Sequence, residues 1–130
     1  EFKYRDSIFK RRPYIILEAI FSLTAGKKEI IEQKMKEVAQ KKLKEQDAQN
    51  PSAGSVFKNP DGYKAWELIT KAGLRGFKIG GAKVSEKHAN FIINTGEAKA
   101  SDVIMLISLI KQKVRDNLGV QLMEEIMNYY

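Results

Sequence analysis

Residues 73–94 read GLRGFKIGGAKVSEKHANFIIN, and this stretch decides the fold class. Phe77–Val84 and Asn90–Asn94 are strand-like runs, separated by the polar Ser85-Glu86-Lys87-His88-Ala89, so two strands paired across that connection are expected. In front of them, Gly73 and Gly76 stop a helix that follows Pro60-Asp61 and carries Ala65, Trp66, Leu68, Ile69 and Ala72; Asp61 is expected to cap it. Behind them, Ser101 is expected to cap a stronger helix with Val103, Leu106, Ile107, Ile110 and Val114 on one face and Gly119 at its end. Val120–Ile126 resumes as a last strand. The pattern describes an α+β domain of two layers, a small mixed or antiparallel sheet packed with helices.

Working outward, Tyr14–Leu23 (YIILEAIFSL) is rich in Ile, Phe and Tyr and ends at Thr24-Ala25-Gly26, which reads as a strand. It reads as having belonged to the sheet of a neighbouring domain, with its edge left uncovered here. Lys27 to about Lys44 places Ile30, Ile31, Met35, Val38 and Leu43 at helical spacing, giving an amphipathic helix. Its tail runs into a loop, Gln46–Ser52, and Gly54–Phe57 is a short extended piece. No internal repeat or low-complexity tract interrupts the chain.

The bulk numbers suit one compact domain: 130 residues, 43% hydrophobic and 30% charged. Absence of cysteine removes disulfide scaffolds, zinc–thiolate clusters and thiol nucleophiles. Tyr14–Leu23 and Val103–Ile110, the longest apolar stretches, fall far short of the roughly 20 residues that span a bilayer. The start, Glu1-Phe2-Lys3-Tyr4-Arg5, has neither an initiator Met nor an apolar signal region and reads like an excised piece. A net charge of +7 asks for an anionic partner, either a polyanion or a small phosphorylated ligand. Between Lys27 and Lys44, however, lysines alternate with Glu29, Glu32 and Glu37. Pairs such as Glu32–Lys36 and Glu37–Lys41 describe a solvated helix face rather than a phosphate-tracking stripe. A basic nucleic-acid-binding module stays open as an alternative; it needs Lys and Arg to converge with exposed aromatics on one face. So does a purely structural or interaction domain.

Pro51–Pro60 (PSAGSVFKNP) carries the most chemistry per residue. Two small residues before Ser55 let backbone approach a ligand closely. Ser55, Lys58 and Asn59 then offer a hydroxyl, a cation and an amide within five residues, a cluster suited to phosphate or carboxylate. The Gly-x-x-x-x-Gly-Lys spacing of a nucleotide-binding loop is absent, and an ordinary surface loop has the same composition. His88, alone in a polar turn, reads equally as an exposed side chain. With no second ligand at a sensible spacing, no metal is expected.

Four blocks of this chain, in order, resemble the signature blocks of the UDP-N-acetylenolpyruvoylglucosamine reductases: Tyr4-Arg5-Asp6-Ser7-Ile8-Phe9-Lys10, then Pro51–Pro60, then Gly73–Asn94, then Gly119–Ile126. The resemblance implies an NADPH- and FAD-dependent oxidoreductase, a flavoprotein of the bacterial cytoplasm. Such enzymes convert an enolpyruvyl UDP-sugar to UDP-N-acetylmuramate for peptidoglycan synthesis, and so serve cell wall biogenesis, cell shape and cell division. It implies residues 1–26 as the remnant of the FAD-binding domain and 27–130 as the C-terminal substrate-binding domain, of the compact class without the extra substrate-closing loop. The flavin-binding glycine motifs have no counterpart here, so the FAD site is expected to be largely missing and the chain alone inactive. Its expected partners are the UDP-sugar and the missing flavin-binding domain, with no nucleic acid and no membrane.

Carried over by motif, Ser55 resembles the proton donor, since a serine hydroxyl in contact with a strongly basic carbanion can protonate it. Arg5 resembles the arginine that pairs with the substrate carboxylate, although a surface ion pair with Asp6 is the plainer reading of the same letters. Glu125 resembles the catalytic glutamate, which beside an anionic substrate acts as a hydrogen-bond donor when it carries a proton. Glu124 should point the other way along the strand. Asn59, His88 and Lys58 resemble groups that hold the UDP pyrophosphate. The family's phosphate-binding lysine before the serine block has no clear match, Lys44 being the nearest candidate, and Met123 and Met127 replace polar residues that commonly flank the final glutamate.

Overall fold

A four-stranded antiparallel sheet grows around the 73–94 stretch, in the order β3-β6-β5-β4. This computed structural model describes residues 2–47 and 49–127. In chain order the elements are β1 (Phe2–Lys3), β2 (Asp6–Ser7), α1 (Ile8–Arg11), α2 (Lys28–Glu45), β3 (Ser52–Ser55), α3 (Ala65–Lys71), β4 (Lys78–Ile79), β5 (Ala82–Val84), β6 (Phe91–Asn94) and α4 (Ala100–Leu118). The chain divides into two units, Glu1–Glu37 and Val38–Tyr130.

In the second unit β5 pairs with β6 across the polar connection as expected, Val84 opposite Ile92 and Ala82 opposite Asn94. Phe77–Val84 is not one strand, however. Gly80 and Gly81 fold it back so that Ile79 faces Ala82. Gly80 takes φ 54°, and a Cβ on Gly81 would lie 2.2 Å from the Ala98 backbone nitrogen. Two glycines in succession therefore mark a tight turn docked against other backbone, which an apolar-run reading passes over.

The core forms where α3 and α4 cover the sheet. Ala65, Leu68 and Ile69 of α3 and Leu106, Ile107, Ile110 and Val114 of α4 bury against Val84, Ile92, Phe57 and Leu122. The helix faces read from the sequence are thus buried except at Trp66, which is 37% exposed, with Ala72 and Val103 half-buried; the caps differ from those expected. Pro60 to Tyr63 forms a turn, with Tyr63 N–H donating to Pro60 C=O, so α3 starts at Ala65, too late for Asp61 to serve its amides. Asn59 Oδ1 accepts from Ala65 N–H at 3.0 Å instead. Ser101 lies inside α4, whose entry is fixed by Asp102: its Oδ2 accepts from Lys99 N–H at 3.0 Å and from Gly81 N–H at 3.2 Å. Gly119 closes α4 with φ 69°, as its position suggested.

Val120–Ile126 is not a strand of its own. A single bridge, Phe57 to Glu124, is formed, because its partner is only the short run before the Pro60 turn. In the first unit, β1 and β2 form a small hairpin leading into α1. Tyr14–Leu23 has no regular structure and lies exposed, Leu17 at 92% and Ile20 at 87%: a strand sequence without an edge to pair with makes no ladder. The α2 helix forms as expected, but its apolar positions remain exposed, Met35 at 67%. Its i,i+4 pairs are Lys28–Glu32 and Lys41–Glu45 rather than those expected. No described helix is long and apolar enough to cross a membrane.

Candidate functional site

Ser55 ends β3, opposite Phe91 of β6. Between Ser52, which faces Ile93, and Ser55, β3 carries one residue more than its partner, and Gly54 sits there with φ 82°. No heavy atom lies within 4 Å of a Cβ placed on Gly54, so the backbone conformation, not space, calls for glycine. Such a bulge turns the next side chain off the regular pleat, and that side chain is Ser55.

The next three residues are held on both edges. On one edge Glu125 N–H donates to Val56 C=O at 2.8 Å and Lys58 N–H donates to Met123 C=O at 2.8 Å. On the other, Val56 N–H donates to Asn90 C=O at 2.8 Å, and the Asn90 carboxamide meets Phe57: Phe57 N–H donates to Oδ1 at 3.0 Å and Nδ2 donates to Phe57 C=O at 2.8 Å. Glu125 is therefore anchored on the residue next to Ser55, across 70 positions of sequence (125 − 55 = 70). Its neighbour Glu124 goes elsewhere, to Lys111 of α4 at 2.8 Å.

Lys58 and Asn59 continue from the braced segment. Asn59 has a structural duty as the amide acceptor at the start of α3, which the sequence did not suggest. His88 is not the plain exposed turn residue that its surroundings in sequence allow. Ser85 is fully buried, and its Oγ accepts from Lys87 and His88 N–H and donates to Asp47 Oδ2 at 3.1 Å, which fixes the turn. The imidazole lies edge-on to Phe91 at 4.8 Å and near Trp66 at 6.4 Å. Burial lowers its pKa below the ordinary histidine value, with the Arg75 charge adding to the effect, so the ring is neutral at pH 7. Its Nδ1 is buried with no hydrogen-bond partner among the described residues.

Arg5 belongs to the first unit. It has φ 54°, its guanidinium lies 5.5 Å from the Tyr4 ring centroid, and its carbonyl accepts from Lys10 Nζ at 3.1 Å. Asp6 pairs with Arg11, at 2.9 Å. An apolar cavity of about 450 Å³ is lined by Ala53, Val56, Ile92, Val103 and Ile126 among others. It takes in the neighbours of Ser55 and Glu125 but neither of those residues, nor Lys58, Asn59 or His88. Among the described residues no three His, Asp or Glu side chains converge as a metal site would require.

Sequence reasoning missed Asn90 and Lys111. Asn90 had a signal: a polar residue opening the apolar run FII, where burial demands a full set of partners. Lys111 had none, since a lysine on a helix face is ordinary.

Residues 45–129 match the family model described as UDP-N-acetylenolpyruvoylglucosamine reductase, C-terminal domain. The chain is 53% identical to a UDP-N-acetylenolpyruvoylglucosamine reductase of Carboxydothermus hydrogenoformans, over 96% of this chain and 41% of that protein. It is 50% identical to UDP-N-acetylenolpyruvoylglucosamine reductase 1 of Bacillus anthracis, over 97% of this chain and 42% of that one. Among solved structures, the UDP-N-acetylenolpyruvylglucosamine reductase of Thermus caldophilus superposes with a TM-score of 0.64 at 38% identity, over 80% of this chain and 36% of its own. The chain thus spans about two fifths of the length of the curated relatives it matches. With the α+β fold and the braced serine segment in place, these matches decide the question of kinship: the chain belongs to the family of UDP-N-acetylenolpyruvoylglucosamine reductase C-terminal domains.

Proposed function

We propose that this chain is the substrate-binding part of a bacterial, cytoplasmic reductase that turns an enolpyruvyl UDP-sugar into UDP-N-acetylmuramate. The observation that carries the reading is the hydrogen bond from Glu125 N–H to Val56 C=O, which ties the glutamate to the residue beside Ser55. In this reading residues 1–26 belong with the flavin-binding part and 27–130 with the substrate.

FAD, reduced by NADPH, would supply hydride to the substrate double bond. The described residues do not fit the flavin itself. The sheets are antiparallel, without a parallel strand–helix crossover whose glycine turn would receive a pyrophosphate. In this reading residues 27–130 act on the substrate. Negative charge builds next to the substrate carboxylate, and Ser55 gives its hydroxyl proton to the carbon that holds it, leaving an alkoxide to be reprotonated by solvent. Glu125, when it carries a proton, donates a hydrogen bond to the carboxylate while the charge develops. Lys58 and Asn59 hold the pyrophosphate. His88, packed beside Phe91 and Trp66, offers a ring N–H to the same group as a hydrogen-bond donor.

Joining this chain to the remainder of the Carboxydothermus relative tests the reading. The expected product is a yellow, flavin-bound protein that oxidises NADPH only when the enolpyruvyl UDP-sugar is present. Ser55→Ala should then lower kcat by roughly a hundredfold or more. NADPH oxidation indifferent to the sugar, or a Ser55→Ala variant as fast as its parent, would overturn it.

A further inference from the structure

Asn90 is 4% exposed, one of two buried polar residues among those described, and its carboxamide bonds both the N–H and the C=O of Phe57. Its Oδ1 accepts from Phe57 N–H at 3.0 Å and its Nδ2 donates to Phe57 C=O at 2.8 Å. A strand beside Phe57 would make the same two bonds. No strand is there, because β6 begins only at Phe91 and the chain before it turns away through His88. The carboxamide thus completes the sheet at the point where backbone pairing runs out.

What it completes is the link between the reactive groups. Phe57 lies between Ser55 on one side and Lys58 and Asn59 on the other, and its 1% exposure leaves no water to replace a lost partner. Its other side faces Glu124, and the bonds of that bridge are made by its two neighbours: Val56 C=O accepts from Glu125 N–H and Lys58 N–H donates to Met123 C=O. We propose that Asn90 is a positioning residue: its side chain, touching no substrate, sets the register of the Ser55–Asn59 segment and, through Phe57, of Glu125. The proposal rests on the reading of this segment as a UDP-sugar site.

Asn90→Leu keeps the branched shape and removes both bonds. Asn90→Asp keeps an acceptor for Phe57 N–H, but while ionised it sets a carboxylate oxygen against Phe57 C=O. Once protonated it can donate there, and the pair of bonds returns. Amide exchange followed by NMR on the 130-residue chain reads the clamp, and titration with UDP reads the site. In Asn90→Leu, exchange at Phe57 should be about tenfold faster or more, and the UDP-induced shifts at Lys58 and Asn59 should be lost, while the Leu106 and Val114 amides stay protected. In Asn90→Asp, protection at Phe57 and the UDP shifts, each measured against the parent at the same pH, should recover as pH is lowered from about 7 towards 5. A purely space-filling role has no means of producing that recovery.

Should Asn90→Leu fail to fold, the Asn90→Asp series alone decides, and no recovery on acidification overturns the proposal. An Asn90→Leu variant with a loosened Phe57 and unchanged UDP shifts overturns it too, since the side chain then braces only the fold. A parent chain that shows no UDP shifts at all removes the site reading, and this proposal falls with it.

Discussion

At the scale of single residues, structure gives the candidate side chains duties that their letters do not announce. Asn59 caps the start of a helix, Asn90 stands in for a strand, and His88 is packed rather than displayed. His88 offers a direct check. Burial lowers its folded pKa below the unfolded value of about 6.5, so the unfolded chain binds the proton more readily. Above about 6.5 both states are neutral there and the histidine adds no pH dependence. As pH falls through that value towards the folded pKa, stability is lost. His88→Gln carries no titrating group, so urea midpoints of the parent should drop relative to His88→Gln between about pH 7 and pH 5. Parallel pH profiles for the two proteins would show that the imidazole is not desolvated. Ser55, Lys58 and Asn59 could be picked out as a cluster because hydroxyl, amine and amide recur within five residues. Their anchoring could not, since the partners Asn90 and Met123 lie far along the chain and meet them only after the sheet has formed.

At the scale of elements, apolar spacing located both core helices and the β5–β6 pair, because burial of one face is what selects those periods. Ends and turns were misread wherever a distant group decides them. Asp102 is the example. Its carboxylate accepts from Lys99 at the start of α4 and from Gly81 in the β4–β5 turn, so one side chain sets a helix entry and a hairpin position together. Gly81 is the sensitive point of that junction, since an added Cβ would lie 2.4 Å from the Glu97 carbonyl carbon and 2.6 Å from Ala98 Cα. Both are backbone atoms, with no flexible side chain to yield. Gly81→Ala should therefore cost about 3 kcal/mol in urea unfolding, the overpacking range, whereas Gly73→Ala meets no atom and should cost only the strain of its φ of 74°, about 1–2 kcal/mol. Equal losses at the two sites would mean that the turn does not press on the α4 entry.

At the scale of the whole molecule, the fold class was legible because most of the core of the second unit is local in pattern, while the strand expected at Tyr14–Leu23 was not formed because a strand needs an edge as well as a sequence. The ten residues YIILEAIFSL keep every strand-forming feature and none of the pairing: Ile15 is 85% exposed, Leu17 92%, Phe21 80% and Leu23 88%. A β-prone apolar run with one charge, no strand partner among the described residues and no proline inside it is a template for intermolecular strands. Net charge of +7 opposes approach of two copies, but at physiological salt screening reaches inside about 8 Å and leaves short-range pairing available. The 130-residue chain should accordingly associate as its concentration rises, and more so in high salt. Leu17→Lys with Ile20→Lys places two cations within the run and should restore a monomer in sedimentation velocity. NMR shifts of the Leu106, Ile110 and Val114 methyls should not move, because those residues draw on the other unit's core. Association that persists undiminished in the doubly substituted chain would place the adhesive surface elsewhere, with the exposed apolar positions of α2 the next to test.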